Sequence, residues 1–390
     1  TTRVKRCMKI SEIFSFPFSI PMRGDPPSLW DNEWSVQLFS VVRSNGPIYG
    51  IGESLLAGGI PPEVLQYLIN HFLSYPLIGK DLEPLEANEI MLKSVFSAGL
   101  GGITSIAVSG IDVAIWDLLG KTEGKSIAEM LQEMGYKRDP NKEEKGKLGI
   151  PVYASFPRYA SCDDALKAAG LAVKANHAMV KLHQPPRLTL DCVKKLRQAF
   201  PELKIAVDLN CGFNLQGAID QLSSMQKYEV EWFEEPLWPP DDYENLRKLS
   251  GMGFPIAAGE DEYRRLGFEQ LCNAGVKFLQ PDLSKVGGVT GFLHGVEVAK
   301  KYGVKVAPHV RPHLSYINEA ATLAVSAVFP EIALVEFPLS QYPEEAFTNL
   351  PKVSGGKAII KEAPGIGTDF KLLKYAYREK FRGLRFADLE

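Results

Sequence analysis

Hydrophobic positions in the first 140 residues fall first in strand-like and then in helix-like patterns. Cys7 to Pro21 and Trp34 to Glu53 are rich in Phe, Ile and Val, with Asn45-Gly46-Pro47 as a turn, so they predict a small antiparallel sheet. Pro61-Pro62-Glu63 opens a helical stretch, proline being tolerated in a first turn. A second helix is expected from Glu83 to Phe96, and a third from Thr104 to Leu119, stopped by Gly120. Arg138-Asp139-Pro140 begins a polar run to Gly149 that reads as a linker. After it, short apolar runs alternate with amphipathic stretches. The runs are Pro151–Ala154, Ala178–Leu182, Lys204–Val207, Val230–Phe233, Pro255–Ala258, Val276–Leu279, Val304–Ala307 and Ile332–Val335. Eight strands with helices between them imply right-handed βα units, which close most simply as a barrel. An open doubly wound sheet lacks support: Gly99-Leu100-Gly101-Gly102 has no third glycine at dinucleotide-loop spacing and follows no buried strand. The predicted division is an α+β cap over 1–140, a linker over 141–149, an α/β barrel over 150–340, and a segment over 341–390 that returns to the cap.

Composition narrows the partners. The chain has 390 residues, 45% hydrophobic and 23% charged, enough to bury a large core without covalent staples. Its net charge of −3 argues against nucleic acid. No apolar run approaches the roughly 20 residues of a membrane span, and the start TTRVKRCMKISEIF is unlike a signal peptide. Five cysteines, odd in number and without CxxC spacing, predict neither a disulfide framework nor a zinc site, and fit a cytoplasmic protein.

In a barrel, chemistry gathers where strands finish. The third run ends in Val207-Asp208-Leu209-Asn210, the fourth in Phe233-Glu234-Glu235-Pro236 and the fifth in Ala258-Gly259-Glu260-Asp261. Asp208, Glu234 and Glu260 are spaced by 26 and again 26 residues, about one βα unit, so they occupy equivalent places on successive strands. Three acids at one mouth repel each other unless a cation joins them, and oxygen-only ligands select Mg²⁺ or, less often, Mn²⁺. Three unrelated helix-capping acids would not need equal spacing. The sixth strand ends in Gln280-Pro281-Asp282 and the seventh in Pro308-His309, which puts a carboxylate beside an imidazole. On the second strand, Val180-Lys181-Leu182-His183 alternates, so Lys181 and His183 point the same way, towards the interior and mouth.

These residues resemble the enolase superfamily, in its mandelate racemase-like branch, over nearly the whole chain. Ala107-x-Ser109-Gly110-Ile111-Asp112-x-Ala114-x-Trp116-Asp117-x-x-Gly120-Lys121 is similar to that family's helix joining cap and barrel. Asp208-x-Asn210, Glu234-Glu235-Pro236 and Gly259-Glu260 resemble its metal-ligand motifs, and Asp282 with Lys285-x-Gly287-Gly288, then His309, its Asp–His dyad. The resemblance implies a modified TIM barrel of seven βα units plus a last strand, (β/α)7β-like. It implies Mg²⁺ on Asp208, Glu234 and Glu260, and His309 with Asp282 as acid/base. One departure stands out: where the branch often carries Lys-x-Lys, the second lysine is His183. Lys181 then neutralises a substrate carboxylate, and His183 is either the base or a ligand of a substrate hydroxyl.

The implied chemistry removes the proton alpha to a carboxylate. With a hydroxyl on the next carbon, His309 donates to it, water leaves, and a 2-keto-3-deoxy acid results. Dehydration of a sugar acid is the favoured reading. The alternatives are racemisation or epimerisation of a 2-hydroxy acid, and a non-catalytic metal-binding barrel. Cycloisomerisation is weaker, because its pattern puts a lysine where Asp282 stands. Two cap loops, Ile20–Glu33 and Glu53–Pro62, read as lids. Arg23, Trp30 and Glu53 are candidate contacts to the distal end of the substrate, joined by Asn210, Arg311 with His313, and Glu336. The expected partner is a small sugar acid, with no nucleic acid and no membrane, in a homo-oligomer.

Overall fold

The computed structural model describes residues 9–21, 26, 28–29, 34–56, 60–81, 83–144, 146–312, 314–339, 343–373 and 384–385. In the cap, β1 (Ile10–Pro21), β2 (Trp34–Ser44) and β3 (Tyr49–Ser54) form an antiparallel sheet. Strand alternation sends Phe14, Phe16 and Phe18 to one face and Ile13, Leu38 and Val42 to the other. The first face packs on Phe347 and Phe370, with ring centroids 4.9 Å apart for Phe18–Phe370. The second packs on α1 (Pro62–Leu68), α2 (Pro84–Val95) and α3 (Ile103–Glu123). A short helix, α4 (Ile127–Glu133), follows behind a Ser126/Glu129 capping box.

The joining helix α3 does not stop at Gly120. It ends at Gly124, whose φ of 70° supplies the left-handed cap. Gly120 serves packing instead: a Cβ there would lie 2.8 Å from Gly365 Cα. Gly50 and Gly52 likewise let β3 lie directly against α3, where a Cβ would strike the Ala114 and Gly110 carbonyls. By length and mean hydropathy α3 is apolar enough to cross a membrane, yet 89% of that stretch is buried within the protein. Its two aspartates are structural. Asp112 accepts from Asn88 Nδ2 at 2.8 Å and Thr290 N at 3.1 Å, so it ties the cap to the barrel. Asp117 accepts from Ile51 N and Ile366 N, both at 2.9 Å.

The barrel strands are β5 (Lys147–Ser155), β6 (Met179–Leu182), β7 (Lys204–Asp208), β8 (Val230–Glu234), β9 (Ile256–Ala258), β10 (Phe278–Leu279), β11 (Lys305–Val306) and β12 (Val335–Pro338). Between them run α5 (Cys162–Lys174), α6 (Pro186–Ala199), α7 (Leu215–Met225), α8 (Tyr243–Gly251), α9 (Arg265–Ala274), α10 (Gly288–Tyr302) and α11 (Tyr316–Ser326). Neighbours from β5 to β11 pair in parallel order, β12 pairs with β5, and Val306 bonds to Glu331 and Ala333 to complete the ring. This is the (β/α)7β barrel.

Three expectations need correction. The last strand is Val335–Pro338 rather than Ile332–Val335; Ile332 instead makes an isolated bridge to Val306. The polar run read as a linker is structured, because β4 (Glu143–Glu144) folds back on β5 and Lys142 is buried. Lys142 Nζ donates to the Ser326, Phe329 and Ile332 carbonyls at 2.9, 2.5 and 2.8 Å, closing the end of α11. The cysteines are not all free: Cys162 and Cys192 form a disulfide between α5 and α6, with Cα atoms 4.9 Å apart. Cysteine usage therefore carries no argument for a reducing compartment. Beyond the barrel, β13 (Lys352–Ser354) and β14 (Lys357–Ile360) form a hairpin on β5, and β15 (Leu384–Arg385) pairs with β1 of the cap.

Candidate active site

The parallel register puts Asp208, the last residue of β7, beside Glu234, the last of β8. Glu260 follows two residues after β9. Lys181 rises from β6 into this group and is only 1% exposed. Its Nζ lies 2.5 Å from Glu234 Oε1, 2.9 Å from Glu336 Oε1 and 3.7 Å from Asp208 Oδ2. Glu234 Oε2 also accepts from Trp232 Nε1 at 3.0 Å and Gln280 Nε2 at 2.6 Å. Glu336, on β12, accepts from Ser155 Oγ at 2.5 Å and Val310 N at 3.1 Å. Asp208 Oδ1 accepts the Asn210 N–H at 2.9 Å, closing a turn that takes Asn210 to a φ of 50°.

Across the mouth stands the imidazole pair to Asp282. His309 Nδ1 is 2.6 Å from Asp282 Oδ2, and its Nε2 is 2.8 Å from Glu260 Oε2. His183, one residue past β6, brings Nε2 to 3.9 Å from Asp208 Oδ2. Arg158, three residues past β5, reaches His183 Nε2 at 3.4 Å and Asn210 Oδ1 at 3.1 Å. Thus Lys181 on β6 and His183 just past it meet the carboxylates that end β7 and β8, while His309 after β11 meets Glu260 just past β9.

The electrostatics follow from crowding. Burial raises the Asp208 carboxyl, which Glu260 and Glu336 raise further. Burial, Asp208 and Glu260 do the same to Glu234, against the pull of Lys181. Burial opposes the charge on Lys181, but Glu234 and Glu336 hold it well above its ordinary value. Burial also opposes the imidazolium of His309, but Glu260, Glu336 and Asp282 raise it well above the usual histidine range. Glu260 is correspondingly held low by His309 and Lys285, although burial opposes ionisation. His183 goes the other way: burial, then Lys181 and Arg158, push it down to about 4. The two imidazoles are thereby driven to opposite protonation states.

The donor set suits a hard divalent cation. Asp208, Glu234 and Glu260 offer oxygen alone, and each of them feels the charge of another. With Asp282 and Glu336, five carboxylates here meet, among the described residues, three contacting cations: Lys181, His309 and, at 3.9 Å from Glu260, Lys285. A nearby trio, Cys211, Glu235 and Asp261, is a poor rival. Lys285 already binds Asp261 at 2.6 Å, and burial and Glu235 push the Cys211 thiol up, so it stays protonated.

Two candidates turn away from the mouth. Glu53 is buried in the cap–barrel joint, where its oxygens accept from Ser315 and Asn318. Arg311 reaches the cap instead and donates to the Val36 carbonyl at 3.2 Å. Neither contacts the carboxylate group; both answer the need of buried polar groups for partners. Arg23, Trp30 and His313 lie outside the described residues. The sequence reading missed Arg158, Ser155 and Gln280. Arg158 and Gln280 sit just past strand ends, the signal used elsewhere, but they were not acids or imidazoles.

The comparisons bear on the fold that carries this site. Residues 33–132 match the model of the mandelate racemase / muconate lactonizing enzyme N-terminal domain, and residues 162–374 match the enolase C-terminal domain-like model. The L-talarate/galactarate dehydratase of Salmonella typhimurium is 30% identical over 77% of this chain and 72% of its own. The D-galactarolactone cycloisomerase of Agrobacterium fabrum is 29% identical over 75% and 79%. The D-galactonate dehydratase of Ralstonia pickettii is 28% identical over 85% and 88%. Among solved structures, the Bradyrhizobium enolase complexed with magnesium and mandelic acid superposes with a TM-score of 0.80, at 23% identity, over 95% of this chain and 99% of that one.

Proposed function

The chain belongs to the mandelate racemase and muconate lactonizing enzyme family of the enolase superfamily, and from that premise we propose a Mg²⁺-dependent dehydratase of a sugar acid. It is an enzyme of sugar-acid dehydratase or isomerase type. The finer reading rests on one observation: His309, held on Asp282 at 2.6 Å, meets the carboxylate group at Glu260, while Lys181 and His183 meet it at Asp208.

Asp208, Glu234 and Glu260 would hold the ion, which supplies positive charge against the substrate carboxylate. Lys181, only 1% exposed, adds its own charge where the enediolate develops. His183, kept neutral, accepts the proton alpha to the carboxylate at Nε2. His309, kept protonated, gives its Nε2 proton to the hydroxyl on the next carbon. The carbon–oxygen bond breaks, water departs, and the enol ketonises to a 2-keto-3-deoxy acid. His183 ends protonated and His309 neutral, so solvent must exchange one proton with each before the next turnover. Asn210 and Arg158 stand beside His183, placed to meet substrate hydroxyls.

A second reading is favoured by the cycloisomerase relative. In it the same enediolate is formed from, or closes into, a lactone. A panel of aldonates, aldarates and their lactones, incubated with Mg²⁺ in D₂O and followed by proton NMR, separates the two. Appearance of a 2-keto-3-deoxy acid from an open-chain acid, with loss of one water, supports dehydration. Lactone conversion without water loss would replace it with cycloisomerisation, and deuterium exchange with inverted configuration would replace it with epimerisation.

A further inference from the structure

Glu53 stands one residue from the end of β3, in the cap, and is 2% exposed. Both of its oxygens are engaged by the barrel: Oε1 accepts from Ser315 Oγ at 2.7 Å and Oε2 from Asn318 N at 3.1 Å. The hydroxyl of Ser315, the residue preceding α11, does not cap its own helix. The cap domain supplies that carboxylate instead, at the positive end of the helix.

Asn318 continues the chain of contacts. Its Nδ2 donates to Asp282 Oδ1 at 3.1 Å. The same oxygen accepts from Ser284 N at 2.7 Å and Ser284 Oγ at 2.6 Å. The Ser284 carbonyl in turn accepts from Leu55 N at 3.3 Å, two residues along the cap from Glu53. Two routes therefore leave the end of one cap strand and meet at one oxygen of Asp282, whose other oxygen holds His309. An apolar side chain would fill the space of Glu53 without the cost of burying a carboxylate. Burial pushes that carboxyl up to about 7, with Ser315, Asn318 and Arg311 working to keep it ionised.

We infer that Glu53 is a positioning residue: through Asn318 it fixes Asp282 and the imidazole of His309, so that docking of the cap sets the orientation of the barrel's acid. The inference rests on His309 being the acid of the proposed reaction, and goes beyond it by making the cap domain part of that acid's support. Outer partners of this kind change activity by roughly 10- to 100-fold when removed.

The test uses the full chain and two readouts. The first is the downfield proton resonance of His309 Nδ1–H, identified by its loss in His309→Asn, and it needs no substrate. The second is kcat and KM on whichever acid sugar turns over. Glu53→Leu and Asn318→Ala are each expected to shift or abolish the resonance and to lower kcat by about 10- to 100-fold, with KM little changed. Glu53→Gln keeps an acceptor for Asn318 N and offers its amide to the Ser315 hydroxyl, so it should restore most of both. A merely structural cap would lower thermal stability in Glu53→Leu and leave the resonance in place, which overturns the inference. If Glu53→Leu fails to fold, Asn318→Ala reads the same link from its other end. If no acid sugar is consumed, the proposed function falls while the resonance still decides the role of Glu53.

Discussion

Replacing Glu234 by glutamine tests the metal site through stability as well as turnover. Breaking a buried ion pair usually costs 3–5 kcal/mol, because the remaining charge is left alone. Here Lys181 is not left alone. Its Nζ keeps Glu336 at 2.9 Å and Asp208 at 3.7 Å. Since Glu234 is 2.5 Å from the same atom, both other carboxylates lie within about 6 Å of it. At an effective dielectric near 20, each repels Glu234 by about 3 kcal/mol, against an attraction to Lys181 of about 6–7 kcal/mol. The two effects nearly cancel. What remains is relief of the buried charge, set against one lost acceptor for Trp232, Gln280 or Lys181, at about 1–3 kcal/mol.

Without divalent ions, Glu234→Gln should therefore unfold within about 2 kcal/mol of the parent. With Mg²⁺ at a hundred times its dissociation constant, the parent gains about 2.7 kcal/mol and the variant much less, and turnover disappears. Urea unfolding at neutral pH, with chelator and then with Mg²⁺, reads both numbers. A metal-free loss of 3–5 kcal/mol would make the Lys181 pair a structural ion pair. An equal Mg²⁺ gain in parent and variant would remove Glu234 from the ligand set. The sign of the pH dependence agrees with the crowding. Asp208 and Glu234 are both raised by burial, so between their unfolded and folded values the native state binds more protons. Metal-free stability should then fall as pH rises through that window.

His309→Asn should lower water elimination by roughly 10²- to 10⁴-fold, since general acid and orientation go together; a product assay near the parent rate would show the role misassigned. His183 is pushed down to about 4, and its neutral form is the competent one. The acid limb of kcat/KM should therefore lie below pH 6.5, with activity rising through it to a plateau that ends where His309 loses its proton, and His183→Asn should lose alpha-proton exchange with D₂O. Retained exchange without product would move the base elsewhere. Lys142, lowered to about 8 by burial against an unfolded value of about 10.4, should let parent stability rise by about 2 kcal/mol relative to Lys142→Met between pH 7 and 10. Paired urea titrations at the two pH values check this, and an unchanged difference would refute the lowered value.

Periodicity located most barrel strands, because a strand buried on both faces must be an apolar run whatever its neighbours are. It failed at the eighth, where Ile332 and Val335 look equivalent in sequence but only Val335 enters the ladder with Val152. The strand-end carboxylates were legible because one βα unit has a nearly fixed length, but the expected equivalence holds only for Asp208 and Glu234, which pair in the ladder; Glu260 lies past the end of β9, three residues beyond Ala257, the partner of Glu234. Lys142 and Gly120 were misread for a common reason. A lysine in a polar run and a glycine near a helix end have ordinary local meanings, and only the distant partners overrule them: the carbonyls at 326, 329 and 332, and Gly365. Glu53 was read as a contact to the distal end of the substrate, since nothing local announces Ser315 and Asn318 across 262 and 265 residues.

The histidine at position 183 changes what the site can abstract. The surroundings that push this imidazole from about 6.5 down to about 4 would also disfavour the charge on an ammonium, whose ordinary value is about 10.4. A lysine there would be a strong base, available in part at neutral pH. The histidine is a weaker base that is always available. Weak bases suit substrates whose alpha proton is already labile, or steps in which loss of the leaving group runs ahead of proton removal. The second condition is met by His309, whose imidazolium Asp282 and Glu336 favour for donation to the departing hydroxyl. The pairing of a weak base with a charged acid thus leans towards elimination. Racemisation would require His309 to be neutral in one direction, and Asp282, bonded to its Nδ1, opposes that state even when Glu260 is committed to the ion.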